Sequence, residues 1–422
     1  MRKLIGTALF VLSACGGGGD DGNNTGDGGG GDDAGSGSHV DAPRGDAPPS
    51  GNPVAVPLVG EEIVYAGPMT IGGQTFQAIF DTGSSSIGVA GASCTTCGVS
   101  PEYTPGASAT DTSHTASSQY GDGSSWTGEI YQDMLALGTA GSVGVKFAEI
   151  THNSNFFRGD EVGLDYQGIV GLGPDAALLS GTTGYMTALA ATGVDKEFAF
   201  QLCPTTGTLW VGGYDPSATS ANPVFTPIVP IVGNSVLYHA VAVDDASVGG
   251  TDLQLTAASF GPTIIDTGTS ISFVPSATLT KLTAAINASA GYSSIFTTPL
   301  QAVGNDGQPH CVSTSHTAAE IDAALPTLSF TFGGATTPVT LPATQSYLYF
   351  GGANQWCYGF GNSSAVFGGS ISASLLGDNT LHGVVAVFDL ANNQIGFAPQ
   401  VGCDSTARAA HTPKLRLPPR RL

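Results

Sequence analysis

The chain has 422 residues, of which 41% are hydrophobic and only 11% are charged, and its formal net charge is −21. This length allows two domains of ordinary size with a substantial core. Nucleic-acid binding requires a basic footprint, but residues 57–403 contain only the basic residues Lys146, Arg158, Lys196 and Lys281. The composition therefore excludes a nucleic-acid partner for the body of the chain.

The N-terminus has the features of an export signal. Arg2 and Lys3 precede an apolar run, residues 4–12, that is too short to span a bilayer. The following sequence LSAC resembles a bacterial lipoprotein signal, in which Cys15 becomes the lipidated first residue. We therefore predict a signal peptide over residues 1–14 and a lipid-anchored protein in the cell envelope, outside the cytoplasm. A glycine follows Cys15, which favours the outer membrane by the rule for enteric bacteria.

The two ends of the mature chain are predicted to lack a fold. Residues 15–56 are rich in Gly and Asp and almost devoid of apolar side chains, which is typical of a flexible tether. Calcium binding by the Asp-Gly clusters is the alternative. Residues 404–422 form a basic tail, either an interaction arm or a disordered end, and we predict disorder.

The body between these ends is predicted to be mostly β. Gly and Pro number 61 and 25, and long helical heptads are absent. Short stretches with alternating or aromatic-rich character, such as LWVGGYDPS, are typical of strands bounded by turns. The sequence therefore favours an all-β fold built from many short strands.

One motif occurs twice, half a chain apart. Asp81 lies in QAIFDTGSSS (77–86) and Asp266 in TIIDTGTS (263–270), each after an apolar run suited to a buried strand. A single Asp-Thr-Gly is ordinary turn chemistry. Two copies in matched context, followed by GIVGLG and SLLGDN respectively, indicate an internal repeat.

The repeat predicts a pair of interacting carboxyl groups. If the two loops face each other across a pseudo-twofold axis, Asp81 and Asp266 lie side by side and hold one proton between them. One carboxylate then serves as general base and the other as general acid while water attacks a carbonyl. This chemistry requires no metal or cofactor. Loop residues expected to support the carboxylates through backbone or hydroxyl contacts are Gly83, Gly268, Ser84 and Thr269.

Further motifs give the chain a resemblance to the pepsin family of aspartic proteases from about residue 60 to residue 403. Tyr120 followed by GDGSSWTG resembles the flap hairpin of that family. The stretches 198–202 (FAFQL) and 384–399 (VVAVFDLANNQIGFAP) resemble its interdomain and C-terminal strands. The resemblance implies a bilobal all-β fold with a substrate cleft between lobes at 57–230 and 231–403. It also implies endopeptidase activity.

The resemblance assigns roles to individual residues. Asp81 and Asp266 match the catalytic pair, and Tyr120 matches the flap tyrosine that closes over the substrate. Ile79, Tyr120 and Ile169 match the pocket before the scissile bond, which implies a preference for hydrophobic residues. For the two isoleucines, ordinary core packing is the alternative. We expect a monomer that acts on proteins or peptides at acidic pH.

Two positions depart from the family pattern. The family usually has Trp seven residues after the first catalytic Asp, where it hydrogen-bonds the flap tyrosine, but this chain has Gly88. Trp126, in a flap one residue longer than usual, is the candidate replacement. Family members commonly have Asp directly before the stretch that corresponds to GIVGLG (168–173). This chain has Gln167 at that position. Both departures bear on flap order and catalytic rate.

Seven cysteines are present. If Cys15 carries lipid, six remain, and an even number in an exported chain suggests three disulfides. The CTTC stretch could instead be half of a zinc site, although no second pair or His cluster accompanies it. The family resemblance suggests the pairs Cys94–Cys97 and Cys311–Cys357, which leaves Cys203–Cys403 at the ends of two interdomain strands.

A rival interpretation is a surface binding protein that keeps the bilobal cleft without turnover. Two buried carboxylates are electrostatically costly, and binding alone gives no reason to retain both motifs. The sequence therefore favours an enzyme.

Overall fold

The computed structural model describes residues 52–121, 123–157, 163–303, 309–368 and 371–403. The predicted signal peptide, Cys15, the tether up to residue 51 and the basic tail lie outside the described residues.

The first half of the chain folds almost entirely into strands. Strands β1 to β11 are Val54–Gly60, Tyr65–Ile71, Gln74–Asp81, Ile87–Ala90, Thr110–Gln119, Ser125–Leu137, Ser142–Ser154, Gly168–Gly171, Glu197–Leu202, Thr206–Val211 and Val224–Pro227. Helix α1 is Tyr185–Ala190, and 3-10 turns occupy Asp175–Ala177 and Pro216–Ala218. Along β6 nearly every second residue is buried, because successive side chains of a strand point to opposite faces.

The second half adds shorter strands and the remaining helices. Strands β12 to β25 are Ala240–Val241, Val243–Val248, Thr251–Asp252, Thr263–Ile265, Ser272–Val274, Cys311–Ser313, Leu328–Phe332, Val339–Leu341, Leu348–Gly352, Gln355–Tyr358, Phe360–Asn362, Ser374–Leu376, Val384–Asp389 and Gln394–Pro399. Helices α2 to α7 are Ala257–Phe260, Ser276–Asn287, Tyr292–Ile295, Ala318–Ala324, Ser364–Phe367 and Asp378–Leu381, with a 3-10 turn at Ala343–Gln345. The predicted all-β class is confirmed, since most of these helices span only one or two turns. Over the described ranges, no helix has the length and apolar character needed to cross a membrane.

A continuous sheet of 13 strands links the two halves in the order β11-β25-β24-β9-β10-β1-β2-β3-β8-β4-β7-β6-β5. Its first six strands come from both halves of the chain, because β24 and β25 pair with β9 and β11. Phe198 on β9 stacks on Phe388 of β24, with ring centroids 4.7 Å apart. Strand pairing and aromatic packing therefore join the two lobes at their base.

Each lobe contains one copy of the same small strand motif. In the first, β3 runs parallel to β8, and β4 lies antiparallel to β8. In the second, β15 runs parallel to β23, and β16 lies antiparallel to it. Asp81 ends β3 opposite Gly171, and Asp266 directly follows β15. The sequence repeat thus places the two aspartates at equivalent points of the two lobes.

Three disulfides are present among the described residues. Their Cα–Cα distances are 5.6, 3.9 and 5.4 Å for Cys94–Cys97, Cys311–Cys357 and Cys203–Cys403 respectively. The CTTC stretch is therefore closed by a disulfide rather than forming half of a zinc site. The third bridge ties the end of β9 to the segment after β25, on the sheet that joins the lobes.

Candidate active site

The two Asp-Thr-Gly loops meet at the junction of the lobes. Asp81 is 5% exposed and Asp266 is 8% exposed. Both lie at the ends of apolar strands, β3 and β15, whose burial carries the carboxyl groups out of bulk water. Two ionisable groups are thus held in the region where the lobes contact each other.

A reciprocal pair of threonines holds the loops together. The backbone N–H of Thr82 donates to Oγ1 of Thr267 at 3.2 Å, and the N–H of Thr267 donates to Oγ1 of Thr82 at 3.0 Å. Each hydroxyl in turn donates across the junction, to the carbonyl oxygens of Ile265 and Phe80, at 2.7 Å in both cases. This arrangement is symmetric and fully buried. The sequence analysis missed it, although Thr at the second position of both motif copies was the available signal.

Each carboxyl group is held within its own loop by two donors. For Asp81, Oδ1 accepts from the N–H of Gly83 at 2.7 Å and Oδ2 accepts from the hydroxyl of Ser84 at 2.5 Å. For Asp266, the corresponding donors are Gly268 at 2.8 Å and Thr269 at 2.6 Å. The four supporting residues predicted from the sequence therefore lie against the carboxyl groups, in matched geometry.

The glycines bring each loop against the carboxyl group of the other. A Cβ atom added to Gly83 would lie 2.6 Å from the carboxyl carbon and both oxygens of Asp266. A Cβ added to Gly268 would overlap Oδ1 of Asp81 in the same way. A residue without a side chain is required at both positions. The same contacts show that each aspartate reaches the opposite loop, which places the two carboxyl groups next to each other.

Electrostatics favours a proton on this pair. Burial, followed by the charge of Asp266, raises the pKa of Asp81 to about 8, against the opposing effect of its hydrogen bonds from Ser84 and Gly83. Two neighbouring carboxylates in a low-dielectric site disfavour each other's ionised form. Burial and the mutual repulsion of the two carboxylates therefore favour a proton on the pair.

Two residues that the sequence analysis missed lie near the pair. Asp378, at the start of α7, is 2% exposed, and burial, then the charges of Asp266 and Asp81, raise its pKa well above the ordinary value. The pKa of Tyr238 is raised by burial and by the same two charges. Asp378 could have been found from the sequence, because it stands in SLLGDN at the position where the first half has the apolar Leu172. No sequence signal marked the tyrosine.

The flap is the hairpin between β5 and β6. The hydroxyl of Tyr120 accepts a hydrogen bond of 2.9 Å from Nε1 of Trp126, and its ring stacks on Phe156 with centroids 5.2 Å apart. A Cβ on Gly88 would lie 3.6 Å from the indole of Trp126. Ile150 and the indole from β6 thus fill the space beside Gly88, and the indole supplies the hydroxyl's partner.

The remaining predicted positions are divided between surface and core. Ile79 and Tyr120 are half-buried and pack against one apolar cluster with Phe156, whereas Ile169 is 3% exposed within that cluster. Gln167 is buried, and its side-chain oxygen accepts from the N–H of Gln77 at 2.9 Å. A neutral amide therefore serves as a structural hydrogen-bond partner at this departure from the family pattern.

Paired, buried carboxyl groups between two lobes of repeated topology, beneath a tyrosine-bearing hairpin, are the features of an aspartic peptidase. The family described as "Eukaryotic aspartyl protease" matches residues 64–400. The chain is 31% identical to "Aspartic protease" of Phaffia rhodozyma over 81% of this chain and 78% of that protein. It is 28% identical to "Gastricsin" of Cavia porcellus (81% and 82%) and to "Secreted aspartic protease 8" of Candida albicans (82% and 78%). The chain belongs to the eukaryotic aspartyl protease family and is an aspartic endopeptidase.

Proposed function

We propose that Asp81 and Asp266 cleave the peptide bond as a single unit that carries one proton. The observation that supports this most strongly is the pairing of two buried carboxyl groups, each held by an amide and a hydroxyl of its own loop. Such a pair titrates as a unit with macroscopic pKa values. Its singly protonated form contains both an acid and a base at one point.

In the proposed cycle the shared proton starts on Asp81, which serves as the acid. The carboxylate of Asp266 accepts a proton from a water molecule, whose oxygen attacks the peptide carbonyl carbon. Asp81 gives its proton to the carbonyl oxygen, which forms a neutral gem-diol. Asp266 then passes its proton to the amide nitrogen while Asp81 takes one back from a hydroxyl. The C–N bond breaks, and the pair regains its single proton.

We propose that the side chain before the scissile bond is hydrophobic. Tyr120, Ile79, Phe156 and Phe157 pack into one apolar cluster on the flap side of the first lobe. The half-buried positions of Ile79 and Tyr120 leave apolar surface for a substrate side chain to cover. Ile169 underlies this surface from the core. A peptide library profiled by mass spectrometry tests this, and a preference for charged residues at that position contradicts it.

Catalysis and binding without turnover are separated by conservative substitutions. Asp81→Asn and Asp266→Asn are each expected to leave less than about a hundredth of wild-type activity. The two carboxyl groups act together, so the loss of either one abolishes the function of the pair. The substrate is a denatured protein, and cleavage should be sensitive to pepstatin. Asp175→Asn, which changes an exposed carboxylate, is the matched control and should keep full activity. Undiminished cleavage by either active-site variant overturns the assignment and favours the binding protein.

We further propose that the enzyme is exported and anchored through a lipid on Cys15, with lobes at 57–230 and 231–403. The support is sequence-based: the basic and apolar leader over 1–14 and the Gly- and Asp-rich segment that follows. Relatives with a secreted name agree with export. Metabolic labelling with a fatty acid is the test for the anchor, and label retained by Cys15→Ser contradicts it.

A further inference from the structure

A histidine connects the two lobes beside the catalytic loops. His239, 2% exposed, lies directly before β12 in the second lobe, and its ring packs near Phe198 and Phe388, with centroids at 6.3 and 5.3 Å. Its Nε2 lies 2.9 Å from the carbonyl oxygen of Leu172 in the first lobe. A carbonyl oxygen only accepts, so Nε2 carries the hydrogen and donates it. The tautomer of the neutral ring is thereby fixed.

This contact belongs to a continuous path between the catalytic residues. The N–H of Leu172 donates to the carbonyl oxygen of Asp81 at 2.8 Å. On the other side, the carbonyl oxygen of His239 accepts from the N–H of Ile265 at 2.9 Å, and Ile265 directly precedes Asp266. Three hydrogen bonds therefore lead from the backbone of one catalytic aspartate to the strand that carries the other.

We propose that His239 is a positioning residue, whose imidazole sets the relative placement of Asp81 and Asp266 by holding Leu172 of one lobe against the strand of the other. The proposal rests on the catalytic roles proposed above for the two aspartates. The reciprocal threonines, Thr82 and Thr267, form one attachment between the loops. The contact of His239 with Leu172 adds a connection between the lobes at a different place from the threonines.

The ring is buried at the lobe junction in its neutral form. The other ring nitrogen, Nδ1, is buried and has no hydrogen-bond partner among the described residues. Burial, the largest cause, lowers the pKa of His239 to about 4. The hydrogen bond to Leu172 and the charge of Asp175 oppose this shift, and Lys196 adds to it. Both charged groups line the same crevice at the lobe junction as the ring does, while the packed aromatic rings carry no charge.

Protonation would place a charge and an N–H without an acceptor at the junction of the lobes. Such a group is costly to bury, so we expect the packing of the lobes around the ring to loosen as the pH falls through about 4, although Nε2 still carries its hydrogen. Because the folded pKa is depressed, the folded state binds fewer protons than the unfolded chain between about pH 4 and 6.5. Stability from the neutral ring is complete above that range and is lost as the pH falls through it.

Two variants separate positioning from packing. His239→Gln places an amide donor where Nε2 lies but cannot titrate, whereas His239→Phe keeps an aromatic ring and removes the donor. At pH 5 we expect His239→Phe to lose at least about tenfold in kcat with KM within about threefold, because small displacements of reacting groups are costly. His239→Gln should keep at least about a third of wild-type kcat, since its donor remains. His316→Phe, at a partly exposed histidine 3.7 Å from Glu320, is the control and should match the wild type.

The pH dependence gives a second readout that packing alone would not change. The wild-type kcat should fall as the pH drops through about 4, and the acid limb of His239→Gln should lie at lower pH. Tm should fall more between pH 7 and 4 for the wild type than for His239→Gln. Superimposed acid limbs for these two proteins, or a wild-type kcat in His239→Phe, overturn the proposal. Full activity in Asp81→Asn would instead overturn the catalytic assignment. That result differs from both outcomes that would overturn the role of His239.

Discussion

The indole of Trp126 donates a hydrogen bond of 2.9 Å to the hydroxyl of Tyr120, six positions earlier in the same hairpin. Trp126 is 1% exposed and packs in an apolar cluster with Ile130 and Ile150. The tyrosine at the flap is therefore fixed by a residue of its own hairpin rather than by one on β4. Ring and hydroxyl are anchored separately, because Phe156 stacks on the tyrosine ring.

Trp126→Phe is expected to lower kcat/KM by roughly three- to tenfold, the equivalent of one hydrogen bond. The smaller phenyl ring leaves a cavity in the buried cluster, so Tm should also fall, and the kinetics are compared at a temperature at which the variant is folded. Steady-state kinetics with a peptide substrate measures the effect. Trp210→Phe makes the same chemical change in a separate cluster with Tyr214 and Val385, and should keep wild-type kinetics. Equal kinetics for the two variants would show that the bond to Tyr120 has no role in catalysis.

Activity should be lost at alkaline pH as the shared proton leaves. Burial and the neighbouring carboxylate raise the pKa of Asp81 to about 8. The sequence showed that two carboxyl groups would interact but not how deeply they would be buried. At pH 9.5 we expect about a tenth or less of the rate at pH 6, because the acid is then largely deprotonated.

The same shift makes stability depend on pH in a known direction. The folded state binds more protons than the unfolded chain between the ordinary pKa of 3.8 and about 8. The free energy of unfolding should therefore fall as the pH rises through that range. Urea unfolding of the wild type and of Asp81→Asn at pH 5 and pH 8 isolates this contribution. The asparagine variant should show a smaller decrease, and an equal decrease in both proteins contradicts the shift.

Asp378→Asn should leave kcat at pH 5 within about threefold of the wild type, since the substitution preserves shape and removes no charge from a group that is already neutral. The carboxyl of Asp378 is buried, and its pKa is held well above the ordinary range. Its Oδ1 has no hydrogen-bond partner among the described residues. A rate profile against pH is the measurement. A loss comparable to that expected for Asp81→Asn would show that Asp378 is ionised and needed.

Much of this architecture was readable in the sequence, because it depends on local patterns that occur twice. The motif around Asp81 recurs at Asp266 with the same apolar lead-in, and the structure places both in the same strand motif. Contacts between distant residues without a local pattern were not readable. His239 and Tyr238 follow no motif, and their surroundings are created only when the second lobe packs against Leu172 and the catalytic loops.

The disulfide between Cys203 and Cys403 should contribute most to stability of the three. It closes a loop of 200 residues, whereas the other two close 46 and 3. On the chain-entropy account these loops correspond to about 5, 4 and 2 kcal/mol, less any strain. The Cys203→Ser/Cys403→Ser double variant should therefore have the lowest denaturant midpoint, measured under conditions of reversible unfolding.

The matched control is the Cys94→Ser/Cys97→Ser double variant, which removes the shortest loop and should shift the midpoint least. Cys203 and Cys403 join the end of β9 to the segment after β25, so their loss frees β25, the last strand of the described residues, to separate from the junction sheet. Activity at 25 °C should survive, because strand pairing still joins the lobes. A larger destabilisation from losing Cys94–Cys97 would show that loop closure in the unfolded chain does not determine the ranking.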